Sequence, residues 1–246
     1  METYILEGNI SVKAAILAGK RKVFKLYVDR KKKDKDTTYI LHRAKERHIP
    51  ITYTSREEID EIASGKTHGG LIAVCGPRSY DSLEKLLPKK ELFLALAEGV
   101  EDPFNFGSIL RTLYAAGCDG VLVGKRNWSS AAGVVGKASA GASEYINLIE
   151  VEDMEACMKQ LQKHNVHIVC AMRSDAISLY DYTFPKRFLI AIGGEMRGLS
   201  KPVLQHSDQN LYIPYRSDFR NALGAAASTA IFGFEIVRQK ETYYEE

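Results

Sequence analysis

The chain has 246 residues, 45% hydrophobic and 26% charged, enough for one large globular domain or two ordinary ones. No apolar run approaches the ~18 residues of a membrane span, and the opening METYILEGNISVKAA lacks a basic stretch followed by an apolar one. A membrane protein and a secreted one are therefore not expected, and the chain is placed in the cytoplasm.

The net charge of +3 is unevenly spread. Residues 1–80 hold 16 Lys/Arg against 10 Asp/Glu, whereas residues 81–246 hold 18 against 21. Such asymmetry points the first third toward a polyanion. The basic run Lys20 to Lys35 is either a phosphate-contacting strip or a solvated loop. The four cysteines, Cys75, Cys118, Cys157 and Cys170, form no CxxC and read as reduced core residues, with no metal site.

In chain order, the first block predicts a helix over 11–18, a strand over 23–28, a helix over 39–47, a strand over 51–54, a helix over 57–63 and a strand over 71–74. This is a small α/β domain spanning 1–76. Gly76-Pro77 breaks the pattern, and a polar linker covers 77–90. The second block, 91–246, opens with a buried strand over 92–97 and a helix over 105–116. It continues with strand 120–123, helix 130–140, strand 145–149, helix 152–164 and strand 166–171. Strand 188–192, a short helix after Ser200, strand 211–213 and a final helix over 221–239 complete it. Strands alternating with helices imply a mostly parallel sheet covered on both faces. The last helix is rich in small residues that permit another backbone to come close.

Three segments carry candidate chemistry. In Glu101-Asp-Pro-Phe-Asn105-Phe-Gly107-Ser-Ile-Leu-Arg111, Asn105 is a natural helix N-cap, and Arg111 stands on the helix as a fixed cation. In Ile192-Gly193-Gly194-Glu195-Met196-Arg197-Gly198-Leu199, the glycines suit a loop whose backbone approaches a ligand. No GxGxxG or Walker-type GKS/GKT is present, which argues against dinucleotide or nucleoside-triphosphate loops. In the third, Ile213-Pro214 ends a strand, a polar loop follows, and Asn221 caps the final helix, just before Ala222.

Together and in this order, the segments resemble the SpoU (TrmH-type) branch of the SPOUT methyltransferases. Asn105, Gly107 and Arg111 match the family's first motif; Gly193, Glu195, Gly198 and Leu199 match the second; Ile213, Pro214 and Asn221 match the third. Lys137-Ala-Ser139-Ala-Gly141-Ala is also similar to a family segment. The third motif usually reads Ser-Leu-Asn-Val-Ser, and here the corresponding stretch is Phe219-Arg220-Asn221-Ala222-Leu223, after a loop about two residues short. Residues 1–76 resemble the ribosomal-protein-like substrate-binding domain of many members.

The resemblance implies a C-terminal mostly parallel α/β sheet with a deep trefoil knot, a feature periodicity cannot reveal. It implies S-adenosylmethionine as cofactor, held by Gly193, Gly194, Gly198, Ile213, Pro214, Arg220, Asn221 and Ala222. The implied reaction is RNA 2′-O-ribose methylation without a metal, with Arg111 activating or positioning the ribose. Asn105 would orient Arg111 or the nucleotide, and Glu195 would hold the loop or the RNA. A homodimer through the C-terminal domain is implied, with rRNA favoured over tRNA. The departure at Phe219-Arg220 motivates one alternative, a non-catalytic RNA-binding relative.

Overall fold

The computed structural model describes residues 2–126, 128 and 131–240. Its contacts divide the chain into two compact units, Met1–Ser79 with Asn127–Tyr145, and Tyr80–Arg126 with Ile146–Glu246.

The first unit contains β1 (Tyr4–Glu7), α1 (Gly8–Ala18), β2 (Val23–Asp29), α2 (Lys35–Glu46), β3 (Ile51–Thr54), α3 (Arg56–Ile62) and β4 (Leu71–Cys75). They build a four-stranded mixed sheet in the order β1-β4-β2-β3. Leu6, Ile16, Leu26, Val28, Ile40 and Leu71 are fully buried in its core. Strand β1 was not visible in the sequence: four residues run directly into α1, which starts at Gly8 rather than Ser11. Helix α2 also starts early, because Asp34 at the end of the basic run accepts a hydrogen bond from the Thr37 amide at 2.8 Å and caps the first turn. A reciprocal Ser55–Glu58 capping box opens α3.

Two later helices, α5 (Ala132–Ala138) and α6 (Ala142–Tyr145), belong to this unit. Buried charge fastens them. Arg21 makes a two-pronged pair with Glu144 at 2.8 and 2.9 Å, with side chains only 6% and 1% exposed. The buried Glu7 carboxylate accepts from the Ser64 amide at 2.6 Å, from the Gly65 amide, and from Lys137. Lys137 is therefore an internal partner rather than a surface cation. Part of the basic run is internal too: beyond Arg21, Lys25 lies 4.5 Å above the Tyr27 ring and Lys32 pairs with Asp34. Helix α5 is shorter than the expected 130–140, and Ser130 lies outside the described residues.

The second unit holds a seven-stranded sheet of β5 (Leu92–Glu98), β6 (Gly120–Gly124), β7 (Leu148–Val151), β8 (His167–Ala171), β9 (Ala176–Ser178), β10 (Arg187–Gly193) and β11 (Gln209–Tyr212). The order is β7-β6-β5-β10-β8-β11-β9, and every neighbouring pair is parallel. The strand expected over 145–149 is displaced. Residues 142–145 are helical, and β7 begins at Leu148, which stands opposite Val121. The three-residue edge strand β9 was too short to read. Strands β5 and β10 are almost continuously buried, as central parallel strands are.

One face of this sheet carries Leu94, Leu122, Ile168 and Leu189 in a core with Met158 and Leu161 of α7 (Met154–Lys163) and Val203 of α8 (Lys201–Gln205). Leu83, Leu86 and Leu87, from the polar segment 77–90, are buried in the same core. Helices α4 (Pro103–Ala115) and α9 (Ala225–Lys240) pack against each other and against β5 and β10. At Gly233 of α9 the two helices come close, since a Cβ there would lie 3.4 Å from Ala116.

Candidate active site

In a parallel sheet, loops leaving the carboxyl ends of the strands share one edge, and a ligand crevice opens where the strand order reverses. Here the chain leaves β5 to build β6 and β7 on one side, then returns to build β8 on the other, with β10 inserted between. The loops after β5, β8, β10 and β11 therefore meet at the switch point, and the three sequence motifs lie on three of them.

The first motif differs from expectation at the helix start. Asp102, not Asn105, is the N-cap of α4: its Oδ2 accepts from the Asn105 amide at 2.7 Å, and Pro103 occupies the first helical position. Asn105 is thus in the first turn. It lines a cleft of about 180 Å³ with Gly99, Asp102, Gly194, Glu195 and Ala225. Arg126 donates to the carbonyls of Val100 and Glu101 and fixes the approach to α4. Arg111 lines neither this cleft nor the one below, and is exposed.

The second motif is pinned to the first by backbone. The Gly194 amide donates to Glu98 O at 2.6 Å, and the Gly198 amide to Gly194 O at 3.0 Å. A Cβ at Gly194 would stand 2.0 Å from Gly99 O, so no other residue fits there without moving a strand end. The Ser200 amide donates to the Glu98 carboxylate at 2.7 Å and closes the loop. Gly193 and Gly198 shape this turn without lining either cleft.

The third motif needs a correction. The final helix does not begin at Asn221. Its first carbonyl acceptor is Gly224, bonded by the Ser228 amide at 3.0 Å, and α9 starts at Ala225. A helix capped by Asn221 would need that residue's carbonyl for its first turn. Instead Arg173, at the end of β8, takes the carbonyls of both Arg220 and Asn221. Phe219, Arg220, Asn221, Ala222 and Leu223 therefore all lie in the loop before α9, not in its first turn. A Cβ at Gly224 would stand 2.8 Å from Glu195 Oε1, so the second-motif carboxylate leans into the space left by the missing side chain.

Ile213 and Ala222 line a second cleft, of about 170 Å³, with Leu211, Leu223, Phe232 and Arg173. Pro214, Arg220 and Asn221 belong to the loop that borders it but do not line it. The two clefts flank the start of α9, which gives Ala225 to one and Phe232 to the other. Each is smaller than the ~300 Å³ at which ligand pockets usually begin. No cysteine lines them, and burial pushes the Cys75 and Cys118 thiols up to about 12, which removes a thiolate nucleophile from the chemistry.

Residues 92–234 match the SpoU rRNA Methylase family, and residues 5–81 match the RNA 2′-O ribose methyltransferase substrate binding family. The chain belongs to the SpoU rRNA methylase family. Its activity is accordingly S-adenosylmethionine-dependent 2′-O-methylation of RNA ribose. The chain is 31% identical over 242 residues to the 23S rRNA (guanosine-2′-O-)-methyltransferase RlmB of Shewanella oneidensis, covering 97% of this chain and 98% of that protein. It is 30% identical over 238 residues to the RlmB of Haemophilus ducreyi, covering 95% and 96%. In fold it is similar to the SpoU methyltransferase AviRb from Streptomyces viridochromogenes in complex with AdoMet, with a TM-score of 0.81 at 21% identity, covering 98% of this chain and 92% of that one. The mostly parallel α/β sheet expected for the C-terminal block is the one observed, and it matches that of a SpoU methyltransferase structure.

Two positions of this SpoU site escaped the sequence reading. Asp102 was readable, because Asp-Pro is an ordinary helix opening. Arg173 was not, because its partners lie 47 and 48 residues further along the chain.

Proposed function

We propose that this SpoU enzyme methylates the ribose of a guanosine in large-subunit rRNA, working in the cytoplasm as a homodimer. The observation that carries the reading is the meeting of three motif loops at the switch point of one parallel sheet. The rRNA target is supported by RlmB relatives that span both the N-terminal and the C-terminal blocks, and by the basic excess in residues 1–80.

The residues present fit S-adenosylmethionine. Leu211, Ile213, Leu223 and Phe232 offer apolar faces to an adenine, and the carboxylate of Glu195 lies in the adjoining cleft, where it can face a cation. When bound, that cofactor supplies a methyl group on a sulfonium, an electrophile that needs no metal. Gly193, Gly194 and Gly198 hold the loop that lets backbone reach it. Ala222 forms part of the wall, and Pro214, Arg220 and Asn221 set the course of the closing loop.

Asn105 orients the target nucleotide in the cleft it shares with Glu195, and Glu195 holds the loop or the RNA there. Arg111 activates or positions the 2′-hydroxyl. Arginine keeps its proton to above ~pH 12 in water, so its task is to hold the ribose or a phosphate that accepts the proton. It stands on the outer face of α4 with Phe104 at 63% and Tyr114 at 47% exposure, beside an α9 that exposes Phe234 at 52%. Covering this apolar face with a second copy would bring one protomer's Arg111 toward its partner's clefts.

The test is incubation of unmodified large-subunit rRNA with labelled cofactor, followed by mapping of ribose methylation. One modified guanosine is expected. Methylation confined to tRNA would overturn the substrate assignment. RNA binding with no methyl transfer would return the non-catalytic alternative that the Phe219-Arg220 departure motivates.

A further inference from the structure

The loop between β11 and α9 carries the third motif, yet it has little to hold its shape. Among the described residues, no backbone-to-backbone hydrogen bond joins two residues of 214–223. Its order comes from side chains. The Tyr215 hydroxyl accepts from the Leu223 amide at 3.1 Å and closes the loop on itself, and the Tyr215 and Phe219 rings lie 6.0 Å apart. Arg173 brings the loop's far end to the sheet. Its two terminal nitrogens each donate to a successive carbonyl, Arg220 O and Asn221 O, the latter at 3.0 Å, and its plane lies 4.5 Å above the Tyr215 ring.

A planar guanidinium can serve two carbonyls and a ring face at once, which an ammonium cannot. An exposed arginine at a site edge would ordinarily be read as a phosphate ligand. Here both terminal nitrogens already serve the protein's own backbone. Arg173 and Tyr215 also line the same cleft as Ile213, Ala222 and Phe232.

We propose that Arg173 is a positioning residue for cofactor binding: by clamping the carbonyls of Arg220 and Asn221 while stacking on Tyr215, it sets the wall of the cleft formed by Ala222 and Leu223. This rests on the reading that the cleft takes S-adenosylmethionine. Without the clamp the loop samples other courses, and the binding-competent one is populated only in part, which lowers apparent affinity by that fraction. The chemistry at the other cleft, built on Asn105 and Glu195, is untouched.

The experiment is calorimetric titration of the full-length chain with S-adenosylmethionine, for wild type, Arg173→Ala and Arg173→Lys, with thermal midpoints and RNA affinity measured alongside. The expected result is at least tenfold weaker cofactor binding in both variants, with midpoints and RNA affinity near wild type. In turnover, KM for the cofactor should rise while kcat changes less than threefold. Lysine should fail to rescue, because it keeps the charge but loses the fork and the stack. Wild-type affinity in either variant overturns the clamp. A matched loss of RNA affinity and thermal midpoint also overturns it, as a general stability role. A wild type that binds no cofactor overturns the reading of the cleft, and this inference with it.

Discussion

The two units of this SpoU methyltransferase are held in opposite ways. In the first, charge is buried: Arg21 with Glu144, and Glu7 with Lys137 and two backbone amides, fasten α5 and α6 to a sheet from a distant part of the chain. In the second, the site loops are held by backbone fit and exposed contacts: Gly194 against Gly99, and Arg173 on the carbonyls of Arg220 and Asn221. A buried pair that loses one member leaves an uncompensated charge, whereas an exposed contact has water as a substitute. Damage in the first unit should therefore appear as lost stability, and damage at the site as lost function.

The largest effect tests the first half of that contrast. Glu144→Ala leaves Arg21 buried without its partner, and denaturant unfolding should show a loss of about 3–5 kcal/mol. A loss below ~1 kcal/mol would mean that Arg21 reaches water and that the staple is weak. Gly194→Ala comes next. Its Cβ must displace Gly99 O, which should cost ~1–3 kcal/mol and abolish cofactor binding measured by calorimetry. Normal binding would show that the two loops are not coupled. Gly224→Ala should be smaller in stability, within ~1 kcal/mol, because the atom it meets is the movable end of Glu195. Turnover should nevertheless fall as that carboxylate is pushed aside, and unchanged turnover would remove Glu195 from the site. Arg111→Ala should change stability least, within ~0.5 kcal/mol by thermal unfolding.

Much of this was legible from the sequence where the determinants are local. Apolar runs placed the central strands, and the order of Asn105, Glu195 and Ile213-Pro214 placed the motifs on loops at strand ends. The misreadings share one physical cause. Asn105 and Asn221 are good cap residues by local chemistry, but Asp102-Pro103 competes for one helix start. At the other, Arg173, in the loop after β8, holds the carbonyls of Arg220 and Asn221, and the helix starts only at Ala225. The fastening of α5 and α6 was hidden for the same reason, because Arg21 and Glu144 are 123 residues apart. Residues that serve distant backbone or distant charge leave no periodic trace in the sequence.

In the proposed reaction, Arg111 attends the transfer of a methyl group to a ribose 2′-hydroxyl. The most direct measurement is single-turnover transfer of labelled methyl from S-adenosylmethionine to unmodified large-subunit rRNA, by wild type and by Arg111→Ala at saturating cofactor. One 2′-O-methylated nucleotide is expected with wild type, and a rate lower by about 10²–10⁴ in the variant, with cofactor affinity unchanged. Equal rates in the two proteins, or a label found on a base instead of a ribose, would contradict it.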